Sequence, residues 1–289
     1  MSKVKIGAFL RLIRIEYSLF SAVGVIIAGF LADDLIGFQW EYVFAYLVIF
    51  FCAAGSFAFN DYYDLKNDIE NSRVDRPLVT GLLSPRASIM TGITAFALAI
   101  VFSVLLNTIS MVGVLASLPI FFLYNTHLKK IIIVKNTVIA YAFVATILLG
   151  SLVTDGALEP LIIYFAVMGF IVGFAFEVML DIGDVDGDRQ LGVNTLPVRF
   201  GLKRAALVCV ILYAIIMMMD PIPFFLQIDT RLYLNYVFLP LILIPVVSYL
   251  FVCISLMRNQ SKINVFKLKK QVFLTMQVGC VAYLLGVLL

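Results

Sequence analysis

The stretch NDYYDLKND, residues 60–68, ends a long apolar run and places three carboxylates at positions i, i+3 and i+7. Far downstream, a second long apolar run is followed by DIGDVDGD, residues 181–188, which repeats this spacing. On a helix, the spacing lines the three side chains along one face. Carboxylate oxygens are hard ligands that suit Mg²⁺, which usually binds through a few carboxylates together with substrate phosphate oxygens. The two stretches therefore predict acidic faces that bind divalent cations and a polyphosphate.

The composition is that of an integral membrane protein. Of the 289 residues, 63% are hydrophobic and only 13% are charged, and the mean hydropathy is +1.06. Soluble domains contain about 45–50% apolar and about 25% charged residues. Apolar runs recur from end to end without a linker-like segment. We therefore expect one helical membrane domain over residues 1–289, surrounded by membrane lipids and without a nucleic-acid partner.

Nine apolar runs are long enough to cross a bilayer core, which takes about 20 residues of helix. Residues 6–13, with apolar positions at helical spacing beside basic residues, predict a short interfacial helix before the first span. The fold class predicted is thus all-α, with nine transmembrane helices. The predicted spans are 16–32, 42–60, 88–106, 109–125, 136–153, 160–180, 204–219, 234–256 and 272–289.

The distribution of Lys and Arg predicts the orientation in the membrane. Of the 21 basic residues, all but Arg231 precede the first span or lie in the loops after even-numbered spans. Because positive charge stays cytoplasmic, we expect a cytoplasmic N-terminus and an external C-terminus in the cell membrane. Both acidic stretches then lie at the cytoplasmic face.

An isolated acidic loop is usually a solvated surface, but two matched stretches favour a shared site. Each follows an even-numbered span, and the two lie four spans apart. This indicates a weak internal duplication of a four-helix unit with a ninth helix added, and such repeats often place a site at their interface. An EF-hand beginning at Asp184 is excluded, because Arg189 and Thr195 occupy the positions that require Gly and Glu.

Basic and polar residues near the two stretches are candidates for substrate contacts. A diphosphate held by Mg²⁺ has oxygens left over for Lys or Arg. Glu177 extends the second acidic face into the membrane, where an unpaired carboxylate is costly, and we expect it to bind the substrate or the acceptor. Tyr124 is a further phosphate ligand or, alternatively, an interfacial aromatic residue. The basic candidates are Arg73, Arg76, Lys129 and Lys130.

The acidic stretches resemble the two signature motifs of the UbiA superfamily of intramembrane prenyltransferases. Residues 60–68 match the pattern N-D-x-x-D-x-x-x-D, and residues 181–188 match D-x-x-D-x-x-x-D. YNTHLK at residues 124–129 is similar to the tyrosine–lysine loop of this family. RVDRP at residues 73–77 and GVNTLP at residues 192–197 are similar to the segments that follow its two motifs. The resemblance covers essentially the whole chain.

The resemblance implies a helical bundle around a central cavity, capped by cytoplasmic loops and open sideways to lipid. It also implies that Mg²⁺ binds a prenyl diphosphate, whose prenyl group passes to a lipophilic acceptor. The residues that would carry catalysis are Asp64, Asp184 and Asp188. Asp61 and Asp181 would be supporting ligands or orienting groups, and Asp181 also belongs to the implied substrate-binding residues. By position, the implied metal ligands are Asn60, Asp61, Asp64, Asp68, Asp184 and Asp188.

Within the superfamily, the short loops, compact length and NDYYD form are most similar to archaeal members that build ether lipids. This implies transfer of a geranylgeranyl group to the glycerol hydroxyl of geranylgeranylglyceryl phosphate. Two alternatives stay open: an aromatic acceptor, as in quinone biosynthesis, and a secondary transporter, although transporters tend to place ionisable residues at mid-membrane. The base that deprotonates the acceptor is not assigned, an aspartate and the departing diphosphate both being candidates.

Overall fold

The computed structural model describes residues 3–35, 37–70, 73–190 and 192–289, apart from the side chain of Asn67. All the predicted site residues lie within these ranges. The described residues contain helices and no strand, which confirms the predicted all-α fold. In chain order the helices are α1 Lys3–Leu12, α2 Ile15–Leu31, α3 Trp40–Tyr63, α4 Leu65–Glu70, α5 Pro85–Ser103, α6 Thr108–Thr126, α7 Val134–Leu152, α8 Pro160–Gln190, α9 Leu196–Phe200, α10 Leu202–Met219, α11 Ile222–Phe225, α12 Phe238–Arg258 and α13 Lys262–Leu288.

In the described part of the chain, eight helical segments are long and apolar enough to cross a membrane. A ninth is formed if α1 and α2 are counted as one bent span. These two helices meet at an angle of 50°, next to Arg14, whose φ of 44° lies in the left-handed region. Eight of the nine predicted spans are confirmed, and the bent pair of α1 and α2 is consistent with the ninth; α1 is a helix of its own, as predicted, but it is part of that span. The chain is a multi-pass membrane protein.

Two helices extend well beyond their predicted spans. The prediction ended the sixth span at residue 180 and began the ninth at residue 272, whereas α8 continues to Gln190 and α13 begins at Lys262. The prediction followed the apolar length that a bilayer core requires. Helical hydrogen bonding does not stop there, because it is satisfied within the backbone whatever the side chains are. The whole second acidic motif therefore lies on one continuous helix.

The first acidic motif differs from the continuous helix that its spacing predicts. Helix α3 ends at Tyr63, α4 begins at Leu65, and Asp64 between them has φ of −92° and ψ of −1°. Few residues adopt this bridge conformation, which is common among active-site residues. The Asp64 amide still donates to the Asn60 carbonyl at 2.9 Å, and the Asp68 amide donates to the Asp64 carbonyl at 2.8 Å. The helical hydrogen bonds thus continue through the motif, but the helix is interrupted at Asp64, the middle of the three carboxylates.

The chain packs into two compact units. The first consists of Met1–Gly29, Asp34–Lys129 and Leu149–Ala157. The second consists of Phe30–Asp33, Lys130–Leu148 and Leu158–Leu289. Each unit contains one acidic motif. A single functional domain over residues 1–289 stays a prediction.

In the first unit, close packing of α5 against α3 holds the helix that leads into the acidic motif. A Cβ atom on Gly55 would lie 2.5 Å from the ring of Phe96, and a Cβ atom on Gly92 would lie 2.8 Å from the ring of Phe59. Small residues at such interfaces let two membrane helices approach closely. The buried Ser88 hydroxyl also donates to the Ala58 carbonyl at 2.8 Å. The end of α3 is therefore anchored just before Asn60.

In the second unit, glycines on α8 hold it against α7 and α13. A Cβ atom on Gly169 would lie 2.8 Å from Ile147, and one on Gly173 would lie 2.9 Å from Phe143. The small-xxx-small pattern at residues 169–173 is therefore a helix contact, as its spacing indicates. Gly183, inside the second motif, meets Val265 of α13, where an added Cβ would lie at 2.9 Å.

Arg231 is the basic residue that lies outside the segments holding the other 20, and the structure shows what it binds there. Its guanidinium donates to the carbonyls of Phe30 at 3.1 Å and Leu31 at 2.6 Å, at the end of α2. It also donates to the carboxylates of Asp33 at 3.1 Å and Asp229 at 2.7 Å. A cation that binds the last carbonyls of a helix stabilises its negative end.

We expect Arg231→Ala to lower the free energy of unfolding by about 2–3 kcal/mol, because carbonyls and carboxylates lose hydrogen bonds to a charged donor. Thermal unfolding of the purified protein in detergent measures the effect as a lower midpoint temperature. Lys267→Ala, at an exposed position of α13, is the matched control and leaves the midpoint unchanged. Equal midpoints for Arg231→Ala and the native protein would contradict this role.

Candidate active site

The first aspartate of the first motif is buried and bound by two arginines. Asp61 is 1% exposed. Its Oδ1 accepts hydrogen bonds from Arg76 at 2.8 Å and from Arg14 at 3.3 Å. Its Oδ2 is buried and accepts no hydrogen bond from the described residues. A carboxylate removed from water in this way is retained only where opposite charge and hydrogen bonds compensate for the lost solvation.

Arg14 connects the bend between α1 and α2 to this motif. Besides Asp61, its guanidinium donates to the Asn60 side-chain oxygen at 3.1 Å. The guanidinium carbon also lies 4.4 Å from the centre of the Phe57 ring, in a cation–π contact. The left-handed backbone at Arg14 is thus held by three contacts with the end of α3.

Asp64 lies at the centre of a short chain of polar contacts. The Asn60 side-chain amide donates to its Oδ2 at 2.8 Å. The Lys129 ammonium, in the 3₁₀ turn Leu128–Lys130, forms an ion pair with its Oδ1. The Asp64 side chain keeps 25% of its surface exposed. The structure therefore brings together Asn60, Asp64 and Lys129, three of the residues that the sequence singled out.

The two arginines that follow the first motif have different surroundings. Arg76 is mostly buried, and its Nε lies 3.8 Å from Asp68 and 3.7 Å from Asp75. Burial raises the pKa of Asp68 despite the nearby arginines. Arg73 is exposed and makes two hydrogen bonds to Asp75, at 3.0 and 3.1 Å, which lower the pKa of Asp75. Arg76 therefore packs against the aspartates of the first motif, whereas Arg73 lies at the solvent-exposed edge of this region.

The second motif repeats the burial of its first aspartate with different partners. Asp181 is fully buried. The Lys135 ammonium pairs with its Oδ1, and the Asn136 side-chain amide donates to its Oδ2 at 2.9 Å. Both partners belong to the first turn of α7. The sequence predicts a role in topology alone for Lys135 and none for Asn136. Two adjacent polar residues at the start of an apolar span were the signal that could have indicated a buried partner.

The later carboxylates of the second motif have fewer hydrogen-bond and ion-pair partners than Asp181. Asp184 is exposed, and within the described ranges it makes no hydrogen bond or ion pair. Asp188 is half-buried, with an Oδ2 atom that is shielded from solvent yet accepts no hydrogen bond from a described residue. Glu177 is half-buried one turn before Asp181. An orphaned carboxylate oxygen beside an exposed carboxylate fits the hard-oxygen donor set that Mg²⁺ prefers.

Both motifs therefore divide their carboxylates in the same way. The first aspartate of each, Asp61 or Asp181, is buried and neutralised by cations. The second, Asp64 or Asp184, is more exposed than the first. The buried pair is thus enclosed by protein groups, whereas the second pair keeps surface that solvent can reach. An orienting role for the first pair and a metal-binding role for the second stay predictions.

Two other predicted residues occupy the segment between the motifs. Tyr124 is half-buried in the last turn of α6, close in sequence to Lys129. Lys130 is exposed, and it has no ion pair with any residue that the structure describes. A contact of either residue with a diphosphate stays a prediction.

Comparison with known proteins gives one consistent result. The UbiA prenyltransferase family model matches residues 19–276. The chain is 30% identical over 279 residues to a digeranylgeranylglyceryl phosphate synthase of Archaeoglobus fulgidus, covering 95% of this chain and 93% of the relative. It is 24% identical over 281 residues to the protein of the same name from Methanosphaera stadtmanae, covering 97% and 99%. A solved UbiA homolog from Archaeoglobus fulgidus, bound to DMAPP and Mg²⁺, has the same fold, with a TM-score of 0.73, 23% identity and coverage of 96% and 98%.

We expect Lys135→Met to destabilise the protein by about 3–5 kcal/mol, because it leaves the buried Asp181 carboxylate without its charge partner. The double variant Lys135→Met/Asp181→Asn removes both charges and should recover much of this loss. Thermal unfolding in detergent compares the variants, with Lys130→Met as the control at an exposed neighbouring position. A double variant no more stable than Lys135→Met would contradict the pairing.

Proposed function

This chain belongs to the UbiA prenyltransferase family, and on that basis we propose that it makes the second ether bond of archaeal-type membrane lipids. It would transfer a geranylgeranyl group from its diphosphate to the glycerol hydroxyl of geranylgeranylglyceryl phosphate. The observation that carries the proposal is the pair of matched motifs, each with a buried, cation-paired aspartate and a more exposed carboxylate one turn later. Similarity to two relatives named digeranylgeranylglyceryl phosphate synthase extends over nearly the whole chain. Membership of a prenyltransferase family argues against the secondary transporter.

We propose that carboxylates of both motifs bind Mg²⁺. Asp64, Asp184 and Asp188 are the central ligands, because they combine accessibility with few or exchangeable partners. Asn60 and Asp68 complete the set of metal ligands. The buried Asp61 and Asp181 hold their motifs in place. When bound, Mg²⁺ supplies positive charge that stabilises the departing diphosphate. A related solved structure is bound to DMAPP and Mg²⁺, which supports this choice of ion.

Cationic side chains would share the diphosphate with the metal. Lys129 already pairs with Asp64. A diphosphate bound to Asp64 through Mg²⁺ would therefore lie within reach of the Lys129 ammonium. Arg76 is held by Asp61, and Arg73 stands at the exposed edge beside Asp75. Lysine and arginine donate strong charge-assisted hydrogen bonds to phosphate oxygens. We assign Arg73, Arg76, Lys129 and Lys130 to diphosphate binding, with Tyr124 as an additional donor.

The reaction breaks the bond between C1 of the prenyl chain and the diphosphate oxygen, and the electron pair leaves with the diphosphate. C1 gains allylic cation character, the glycerol oxygen forms a new bond to it, and the hydroxyl proton is released. Water would capture the same cation, so the reacting atoms must be screened from bulk solvent. The motifs lie at the ends of apolar membrane helices, which favours such screening.

We also propose that the protein lies in the cell membrane with its N-terminus in the cytoplasm and its C-terminus outside. The nearly complete segregation of basic residues supports this orientation. Both motifs would then act at the cytoplasmic face. The lipophilic acceptor and the prenyl tail would reach them from the lipid.

We expect Asp64→Asn and Asp184→Asn each to lower the transfer rate by at least about 10²-fold, since each weakens the binding of Mg²⁺, whose positive charge stabilises the departing diphosphate. Chelation of Mg²⁺ should abolish transfer by the native protein. Asp186→Asn is the matched control, because Asp186 is an exposed carboxylate of the same stretch outside the i, i+3, i+7 spacing. Activity is measured as radiolabelled ether product in detergent micelles, with thermal unfolding as the check on folding.

Near-native rates for Asp64→Asn or Asp184→Asn at saturating Mg²⁺ would overturn the assignment of these carboxylates. An equal loss in Asp186→Asn would show that any acidic residue of the stretch matters, and would equally remove the argument from spacing.

The acceptor is tested by supplying geranylgeranyl diphosphate and Mg²⁺ with either geranylgeranylglyceryl phosphate or an aromatic acid. We expect a product only with the glyceryl phosphate, at a rate well above the solvolysis of the diphosphate alone. Mass spectrometry of the extracted lipid identifies the new ether. A product formed only with the aromatic acceptor would replace the proposed reaction by the one used in quinone biosynthesis.

A further inference from the structure

Glu177 is a carboxylate that the reaction described above leaves without a task. It lies on α8 four residues before Asp181 and seven before Asp184, so the three side chains share one face of the helix. Its side chain is half-buried. Among the described residues it makes neither a hydrogen bond nor an ion pair, although charged groups surround it.

Charged groups of α7, α8 and α13 lie around Glu177 without occupying its oxygens. Lys135 of α7 and Lys269 of α13 attract it, while Asp181 and Asp184 repel it. Lys135 is already paired with Asp181. An unpaired carboxylate within a membrane helix is costly and is usually retained for function.

The depth of Glu177 matches the place where the bond to the prenyl chain breaks. An α-helix rises 1.5 Å per residue, so Glu177 lies roughly 6 Å from Asp181 and roughly 10 Å from Asp184 along the axis of α8, on the membrane side. In the proposed function, Asp184 and Asp188 bind the diphosphate end of the substrate, and the prenyl tail continues into the apolar layer. C1 and the attacking hydroxyl therefore lie on the membrane side of the diphosphate, toward Glu177.

The nearest carboxylate of the second motif, Asp181, is already engaged. Both oxygens of Asp181 are occupied, by Lys135 and by Asn136. Glu177 is thus the carboxylate on the membrane side of the second motif whose oxygens no described residue occupies.

We propose that Glu177 is the general base that deprotonates the glycerol hydroxyl of the acceptor, an inference that rests on the proposed prenyl transfer. As the bond between C1 and the diphosphate oxygen breaks and its electron pair leaves with the diphosphate, the glycerol oxygen bonds to C1. The hydroxyl proton passes to a carboxylate oxygen of Glu177. The products are the ether, free diphosphate and a protonated Glu177, which returns its proton to water before the next cycle.

The test compares Glu177→Gln and Glu177→Ala with the native protein at saturating acceptor. We expect kcat to fall by at least about 10²-fold in both, the contribution typical of a general base. Mg²⁺-dependent binding of geranylgeranyl diphosphate and its slow hydrolysis without acceptor should be unchanged, because neither needs the base. Added formate should raise the rate of Glu177→Ala severalfold by supplying a carboxylate, and should leave the native rate unchanged. Asp186→Asn, on the same helix but exposed, is the control.

Each other result overturns the assignment. Native-like kcat in Glu177→Gln would show that another group, such as the departing diphosphate, takes the proton. A raised KM for the acceptor with unchanged kcat would make Glu177 a binding residue, and failure of formate to rescue a folded Glu177→Ala would make it a structural one. If the native protein itself forms no ether from geranylgeranylglyceryl phosphate, the proposed function fails, whatever the variants do.

Discussion

Asp61 and Asp181 are carboxylates that folding removes from water, and each is tolerated because positive groups from a neighbouring segment bind it. An unpaired buried charge costs several kcal/mol, so these pairings constrain which segments can lie beside the motifs. In the first unit, the arginines tie the bend after α1 and the loop after α4 to the end of α3. In the second, Lys135 and Asn136 tie the start of α7 to α8. The interactions that position the motifs are therefore electrostatic as well as apolar.

This compensation determines which carboxylates remain available for chemistry. Because Asp61 and Asp181 are buried and already paired with cationic side chains, they can hold geometry but offer little to a metal ion. Asp184 and Asp188 retain unpaired oxygens, and Asp64 is paired with a lysine that a diphosphate could also attract. A row of aspartates that looks uniform in the sequence thus contains two kinds of group. In the proposed function, the buried ones orient the motif and the accessible ones bind metal and substrate.

The sequence predicted the helical fold, the spans and the family because bilayer thickness and motif spacing are local properties of the chain. It could not predict which helix lies beside a given face, and so it missed the contacts of Lys135 and Asn136 with Asp181. The contact of Arg14 with Asn60 was missed as well, since nothing in the neighbours of Arg14 indicates the left-handed backbone that brings it there. The break in the helix at Asp64 was missed for the same reason. It accompanies the contact of Asp64 with Lys129, which is distant in sequence.

The most direct test is a structure of the protein with Mg²⁺ and geranylgeranyl thiolodiphosphate, an analogue that does not release its leaving group readily. The account predicts Mg²⁺ about 2.0–2.1 Å from oxygens of Asp64 in one motif and of Asp184 or Asp188 in the other, with phosphate oxygens completing each coordination shell. A diphosphate bound away from these carboxylates, or held by basic side chains without any cation, would contradict it.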